Sequence, residues 1–156
     1  GDFISYAADN NGGAIYNEYS GNIGTIQGDF INNTADNNGG AIYNGGVIET
    51  LTGTFNGNSA NYGGAIYNAG GDYGWGTDDV VNIGITMKET VRFVTPSDTI
   101  YNSGVIAAEG IQGNPANIYL QSVDGGGKFF LKVFRNIAIW KRTDETQHKI
   151  ENFFEE

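Results

Sequence analysis

The sequence predicts an all-β chain, wound as a single-stranded parallel β-helix of about four to five coils and closed by a short C-terminal capping segment. Three observations carry this expectation. The hexapeptide Gly-Gly-Ala-Ile-Tyr-Asn is written three times, at Gly12 to Asn17, Gly39 to Asn44 and Gly63 to Asn68, with starts 27 and then 24 residues apart. A second pattern, Phe-x-x-Asn-x-Ala, precedes it at Phe30 to Ala35 and Phe55 to Ala60, with a first copy, Phe3 to Ala8, in which Tyr6 replaces Asn. The linking segments carry the period-two spacing of strands, as at Ile26, Gly28 and Phe30, and residues 1 to 127 sustain no helical stripe.

Each element follows from this unit. A coil adds one strand to each face, about 4.8 Å further along the axis, so equivalent residues stack. Ile15, Ile42 and Ile66 form one inward column, and Phe3, Phe30 and Phe55 form another. The approach strands match as well, with Ile23, Ile26 and Phe30 in one coil answering Ile48, Leu51 and Phe55 in the next. Asn17, Asn44 and Asn68 form a polar ladder at a turn, where Asn tolerates left-handed backbone and can bond the adjacent coil. Asn33 and Asn58 repeat after the Phe column in the same way. The paired glycines Gly12 and Gly13, Gly39 and Gly40, and Gly63 and Gly64 supply positive φ or close backbone approach at a sharp corner.

Beyond Asn68 the pattern loosens. Residues 69–79 read as an inserted loop, after which Val91 and Phe93 resume a strand and Ile100-Tyr101-Asn102 echoes the hexapeptide without its glycines. One or two further coils are expected through Ile118 to Leu120, with Gly125 to Gly127 ending the array. The domain division is therefore a repeat domain over 1–127 and a cap or docking segment over 128–156. In that tail Phe130, Phe134, Ile137 and Trp140 fit a helix, whereas Phe129, Leu131, Val133, Ile137 and Ile139 fit a strand. Thr143-Asp-Glu is a helix-start signal.

Composition narrows function. Residues 1–127 hold 2 basic and 13 acidic side chains, a net charge of −11, and residues 128–156 hold 6 basic and 5 acidic, a net charge of +1. Such a surface repels phosphate backbones, so nucleic acid is an unsuitable partner. The absence of cysteine removes disulfides, thiolate catalysis and thiolate metal sites. No stretch approaches the roughly 20 apolar residues of a membrane span. The chain opens on Gly1 within a repeat and without an initiator Met, which reads as a processed or excised piece of something longer.

The alternation of Gly-Gly-Ala-Ile with Phe-x-x-Asn, three times over residues 1 to 68, resembles the repeat pair of the chlamydial polymorphic membrane proteins and related autotransporter passengers. The resemblance implies a right-handed parallel β-helix displayed at a bacterial cell surface or extracellularly, serving adhesion to a host or neighbouring-cell ligand. It weakens over 69–127 and does not reach the tail. Tyr6 departs from the Phe-x-x-Asn pattern, and residues 1–156 are not expected to include an outer-membrane barrel.

Strand alternation then picks out candidate ligand-binding residues. With Ile15 inward, Tyr16 points outward, and Tyr16, Tyr43 and Tyr67 form an aromatic stripe able to meet a sugar ring or a protein. The Phe-x-x-Asn copies are adhesive candidates by resemblance, but their phenylalanines sit where a core column belongs. Asp72, Asp78 and Asp79, beside glycine turns, are a minor calcium candidate without the successive copies a calcium-binding roll needs. No other cofactor is expected, and His148 is the only histidine. The leading function is thus a non-catalytic, adhesin-like surface scaffold. One alternative is a structural subunit stacking end to end through its coil ends into a fibre or larger solenoid. Another is a glycan-active enzyme using Lys88 and Arg92, four apart on one strand, with nearby carboxylates.

Overall fold

A computed structural model of the protein describes residues 1–73, 80–113, 119–121, 128–133, 136–141 and 148–149. Among them no helix occurs, and the chain alternates between two main sheets. The first turn of the repeat contributes β1 (Phe3–Ile4), β2 (Ala7–Ala8) and β3 (Ile15–Asn17); the second contributes β4 (Asn22–Ile31), β5 (Thr34–Ala35) and β6 (Ile42–Asn44). The third supplies β7 (Val47–Asn56) and β8 (Ile66–Asn68), followed by the short pair β9 (Gly71–Tyr73) and β10 (Val80–Ile83). Then come β11 (Ile85–Phe93), β12 (Ile100–Asn102), β13 (Val105–Gly113), β14 (Tyr119–Gln121), β15 (Lys128–Val133), β16 (Asn136–Lys141) and β17 (His148–Lys149).

One sheet runs β1-β4-β7-β11-β13-β15-β16, and the other runs β17-β14-β12-β8-β6-β3. Pairing is parallel throughout the repeats, and each strand meets its equivalent in the neighbouring unit: Ile23 meets Ile48, Ile26 meets Leu51, Phe30 meets Phe55, and Ile42 meets Ile66. This all-β arrangement of stacked parallel strands is compatible with a β-helix.

The columns expected from the repeat are present. Phe3, Phe30, Phe55 and Phe93 stack with centroids 4.6, 4.7 and 5.1 Å apart, a spacing imposed by strand separation. Ile42, Ile66 and Ile100 are fully buried in one core with the phenylalanines, and Ile15, in the first unit, is half-buried.

Two places depart from a uniform repeat. The expected inserted loop is flanked by β9 and β10, which pair antiparallel, so the insertion extends to Ile83; residues 74–79, with Asp78 and Asp79, lie outside the described residues. In β11 the partners of Leu51 and Thr54, Met87 and Arg92, stand five positions apart, where β7 uses a step of three. The excess is a bulge at Glu89, whose φ is +56, and it leaves Lys88, Glu89 and Thr90 all exposed.

The large sheet also runs across the boundary expected at 127. β15 pairs in parallel with β13, and β16 then turns back antiparallel on β15. The described parts of the tail are strands, and β17 pairs antiparallel with β14. The segment carrying Thr143 lies outside the described residues, as do Gly125 to Gly127 and Ile118.

The Phe column makes a quantitative demand. Phe55, fully buried between two rings, has no smaller arrangement available when truncated, so Phe55→Ala is expected to lower unfolding free energy by about 3–5 kcal/mol in a urea titration. Phe55→Leu, which refills much of the volume, should cost less than half of that.

Candidate functional site

The hexapeptide assigns a different task to each residue. Gly12, Gly39 and Gly63 have φ of +69, +69 and +66, and a Cβ on any of them would strike the carbonyl oxygen of the Ile three residues on. Gly13, Gly40 and Gly64 are needed for another reason: a Cβ there would run into backbone carbonyls of the next unit, those of Gly40, Gly64 and Ser97 respectively. The Ile then turns inward, and the Asn closes the corner.

That corner is a continuous amide ladder. Asn17 Nδ2 donates to Asn44 Oδ1 at 2.8 Å, Asn44 Nδ2 to Asn68 Oδ1 at 2.9 Å, and Asn68 Nδ2 to Asn102 Oδ1 at 2.9 Å. The same side chains clasp the turn that follows them. Gly46, Gly70 and Gly104 donate their N–H groups to Asn44, Asn68 and Asn102 Oδ1, and Asn44 and Asn68 Nδ2 donate back to the carbonyls of Gly46 and Gly70. All four asparagines are buried, so these bonds replace water completely.

A second ladder follows the phenylalanines. Asn33 Nδ2 donates to Asn58 Oδ1 at 3.0 Å and to the Phe3 carbonyl at 2.9 Å; Asn58 Nδ2 donates to Asp98 Oδ1 at 2.9 Å and to the Phe30 carbonyl at 2.9 Å. Phe30, Phe55, Asn33 and Asn58 are each 0% exposed, so the repeated Phe-x-x-Asn side chains cannot touch a ligand on the folded chain. Tyr6, where Asn is missing, still supplies its backbone N–H to Asn33 Oδ1 at 2.9 Å.

Asp98 was not among the sequence candidates. It stands five residues after Phe93 rather than three, so a two-residue insertion hides it from the motif. Its carboxylate is fully buried and accepts five hydrogen bonds: from Asn58 N and Nδ2 and Gly57 N on the preceding unit, and from Thr95 N and Oγ1 on its own turn. An acceptor-only group suits this position because every neighbour offers a donor.

Outward, the tyrosines form the surface counterpart. Tyr16, Tyr43 and Tyr67 stack in register with centroids 4.9 and 5.1 Å apart, and Tyr101 extends the column at 4.6 Å. Interplanar angles of 3 to 7° mean that the rings face one another. The stripe therefore offers ring edges and hydroxyls to solvent, and the sugar-stacking use of its faces is closed between neighbours. Exposure falls along the column, from 57% at Tyr16 through half-buried Tyr43 and Tyr67 to 4% at Tyr101, against which Tyr62 packs edge-on at 5.5 Å. Burial, and secondarily the Tyr16 phenol beside it, raises the Tyr43 phenol above its ordinary value of 10.0.

The remaining candidates are scattered. Asp72 is exposed and accepts a hydrogen bond from Asn82 Nδ2 at 3.0 Å. Among the described residues no three metal-ligating side chains cluster. Lys88 and Arg92 are both exposed on either side of the Glu89 bulge, and Arg92 donates to Gln112 Oε1 at 2.7 Å.

Stacked parallel strands, inward Ile and Phe columns, buried Asn ladders and an outward Tyr column define an all-β repeat protein. The family model for the Chlamydia polymorphic membrane protein repeat matches residues 27–45 and 52–69. The matched segments cover Phe30 to Asn44 and Phe55 to Asn68, each holding one Phe-x-x-Asn and one Gly-Gly-Ala-Ile, so the polymorphic-membrane-protein likeness recognised in the sequence holds over two adjacent repeats. No curated protein and no solved structure matches the chain.

Two measurements check this geometry. Asp98→Asn places an amide N–H₂ against donors that the carboxylate now accepts, and should cost about 2–3 kcal/mol in denaturant unfolding. The raised Tyr43 phenol is the neutral form favoured by folding. Its contribution is therefore complete below about pH 10 and disappears as pH rises through the folded-state value, so the denaturation midpoint should fall more steeply above pH 10 in the wild type than in Tyr43→Phe.

Proposed function

We propose that the chain is part of a right-handed, single-stranded parallel β-helix at a bacterial cell surface or outside the cell, acting by binding rather than catalysis. Its ligand is a protein on a host or neighbouring cell, engaged by the tyrosine column. The observation that carries this reading is the register of that column. Three ring edges, those of Tyr16, Tyr43 and Tyr67, recur at the strand spacing on the outer face of the sheet, and rigid aromatic side chains give contact area at little entropic cost.

The edge-on presentation favours a protein over a sugar. A row of phenol hydroxyls and ring rims suits the polar groups and apolar side chains of a protein surface, whereas a pyranose ring would need an open aromatic face. The match to a membrane-protein repeat supports the surface location, and the buried Phe-x-x-Asn copies support a scaffold role for that motif.

Binding of the purified chain to cultured epithelial cells, measured by flow cytometry, tests the reading. Replacing Tyr16, Tyr43 and Tyr67 together by Phe keeps the stack and removes three hydroxyls; it is expected to reduce binding by about tenfold or more with an unchanged melting curve. Undiminished binding by this triple variant would remove the tyrosine column from the account.

A further inference from the structure

A recess separate from the tyrosine column lies where the turns after the hexapeptides lead into the large sheet. It is an open recess of about 460 Å³, lined among others by Tyr19 from the first turn, by Gly45 and Gly46 from the next, and by Asp72 and Asn82 from β9 and β10. Three separate stretches of sequence thus converge on one corner. Tyr19 is 87% exposed, the most exposed large apolar side chain among the described residues, and unlike Tyr16 it stands outside the ring stack.

The part of the lining that comes from β9 and β10 is polar. Asn82 Nδ2 donates to Asp72 Oδ1 at 3.0 Å, which aligns the two side chains. That bond uses one carboxylate oxygen and one amide hydrogen. The second carboxylate oxygen can accept, and the Asn82 amide retains both a donor and an acceptor. Gly45, Gly46, Val47, Ala69 and Gly71 complete the lining, and a Cβ on Gly46 would collide with the carbonyls of Glu18 and Gly21.

We propose that this recess is a binding subsite for a neutral hexose. A pyranose has one face of C–H groups that packs on an aromatic ring, and an edge of adjacent hydroxyls that each donate and accept. Tyr19 supplies the ring, and the Asp72 and Asn82 pair supplies acceptors and a donor at adjacent positions. Sign of charge sets the class: with Asp72 in the wall and a net charge of −10 on the chain, a uronic or sialic acid is repelled. The subsite is independent of the tyrosine column, so either can fail alone.

Saturation-transfer NMR on the full chain, with the methyl glycosides of glucose, galactose and mannose and with glucuronic acid as the acidic control, tests the proposal. At least one neutral glycoside is expected to bind. Tyr19→Ala and Asp72→Ala should each weaken it by about tenfold, whereas Tyr19→Phe should stay within about threefold because the ring remains. Both side chains are exposed, so the variants should melt with the wild type. The triple Phe variant of the column should bind the glycoside unchanged. Absence of binding by all three neutral glycosides, a preference for glucuronic acid, or full binding by Tyr19→Ala and Asp72→Ala would overturn the assignment.

Discussion

The asparagine carboxamide donates through nitrogen and accepts through oxygen along one line, and in this chain that line is the direction in which the repeats stack. Asn17, Asn44, Asn68 and Asn102 pass hydrogen bonds at 2.8 to 2.9 Å from one unit to the next while binding their own following turn. The ladder exists only when every unit returns to the same register, and that register also aligns the Ile, Phe and Tyr columns. A buried amide with an unmet partner costs about 1–3 kcal/mol, so a slip by one residue would break several bonds and send each apolar side chain to the wrong face.

Asp98 shows how such a ladder can change chemistry at one rung. Asn33 and Asn58 each relay a hydrogen bond, whereas Asp98 only receives, gathering donors from the unit before it and from Thr95. The rung thereby ties an irregular turn, longer by two residues than its predecessors, to the regular array. The glycine pairs perform the complementary task. One glycine of each pair takes the left-handed backbone, and the other lets neighbouring turns approach to a distance at which no side chain fits.

The columns leave few features outside. The buried Phe-x-x-Asn copies hold units together, and the surface is left with tyrosine edges, a predominantly acidic polar coat and a recess at one corner. The two surface features differ in chemistry. Tyr43 lies between the rings of Tyr16 and Tyr67 and can meet a partner only through its rim, whereas Tyr19 stands outside the stack at the recess.

Strict repetition made the Ile15, Phe30, Asn44 and Tyr43 columns legible in the sequence, because a period of one unit fixes which residues become neighbours before any coordinate is known. Asp98 and the Glu89 bulge were not legible, since insertions of two residues restore register only through backbone geometry that spacing does not encode. The burial of Tyr101 depends on Tyr62 from another turn, and the convergence of Tyr19, Asp72 and Asn82 depends on the placement of β9 and β10. By itself, then, the sequence determined the all-β class, the repeat and the inward columns, each a consequence of periodicity acting on neighbouring strands. Only the tertiary structure decided that tyrosine faces are spent on one another and that a recess forms at the corner, because both follow from distances between turns that no local pattern sets.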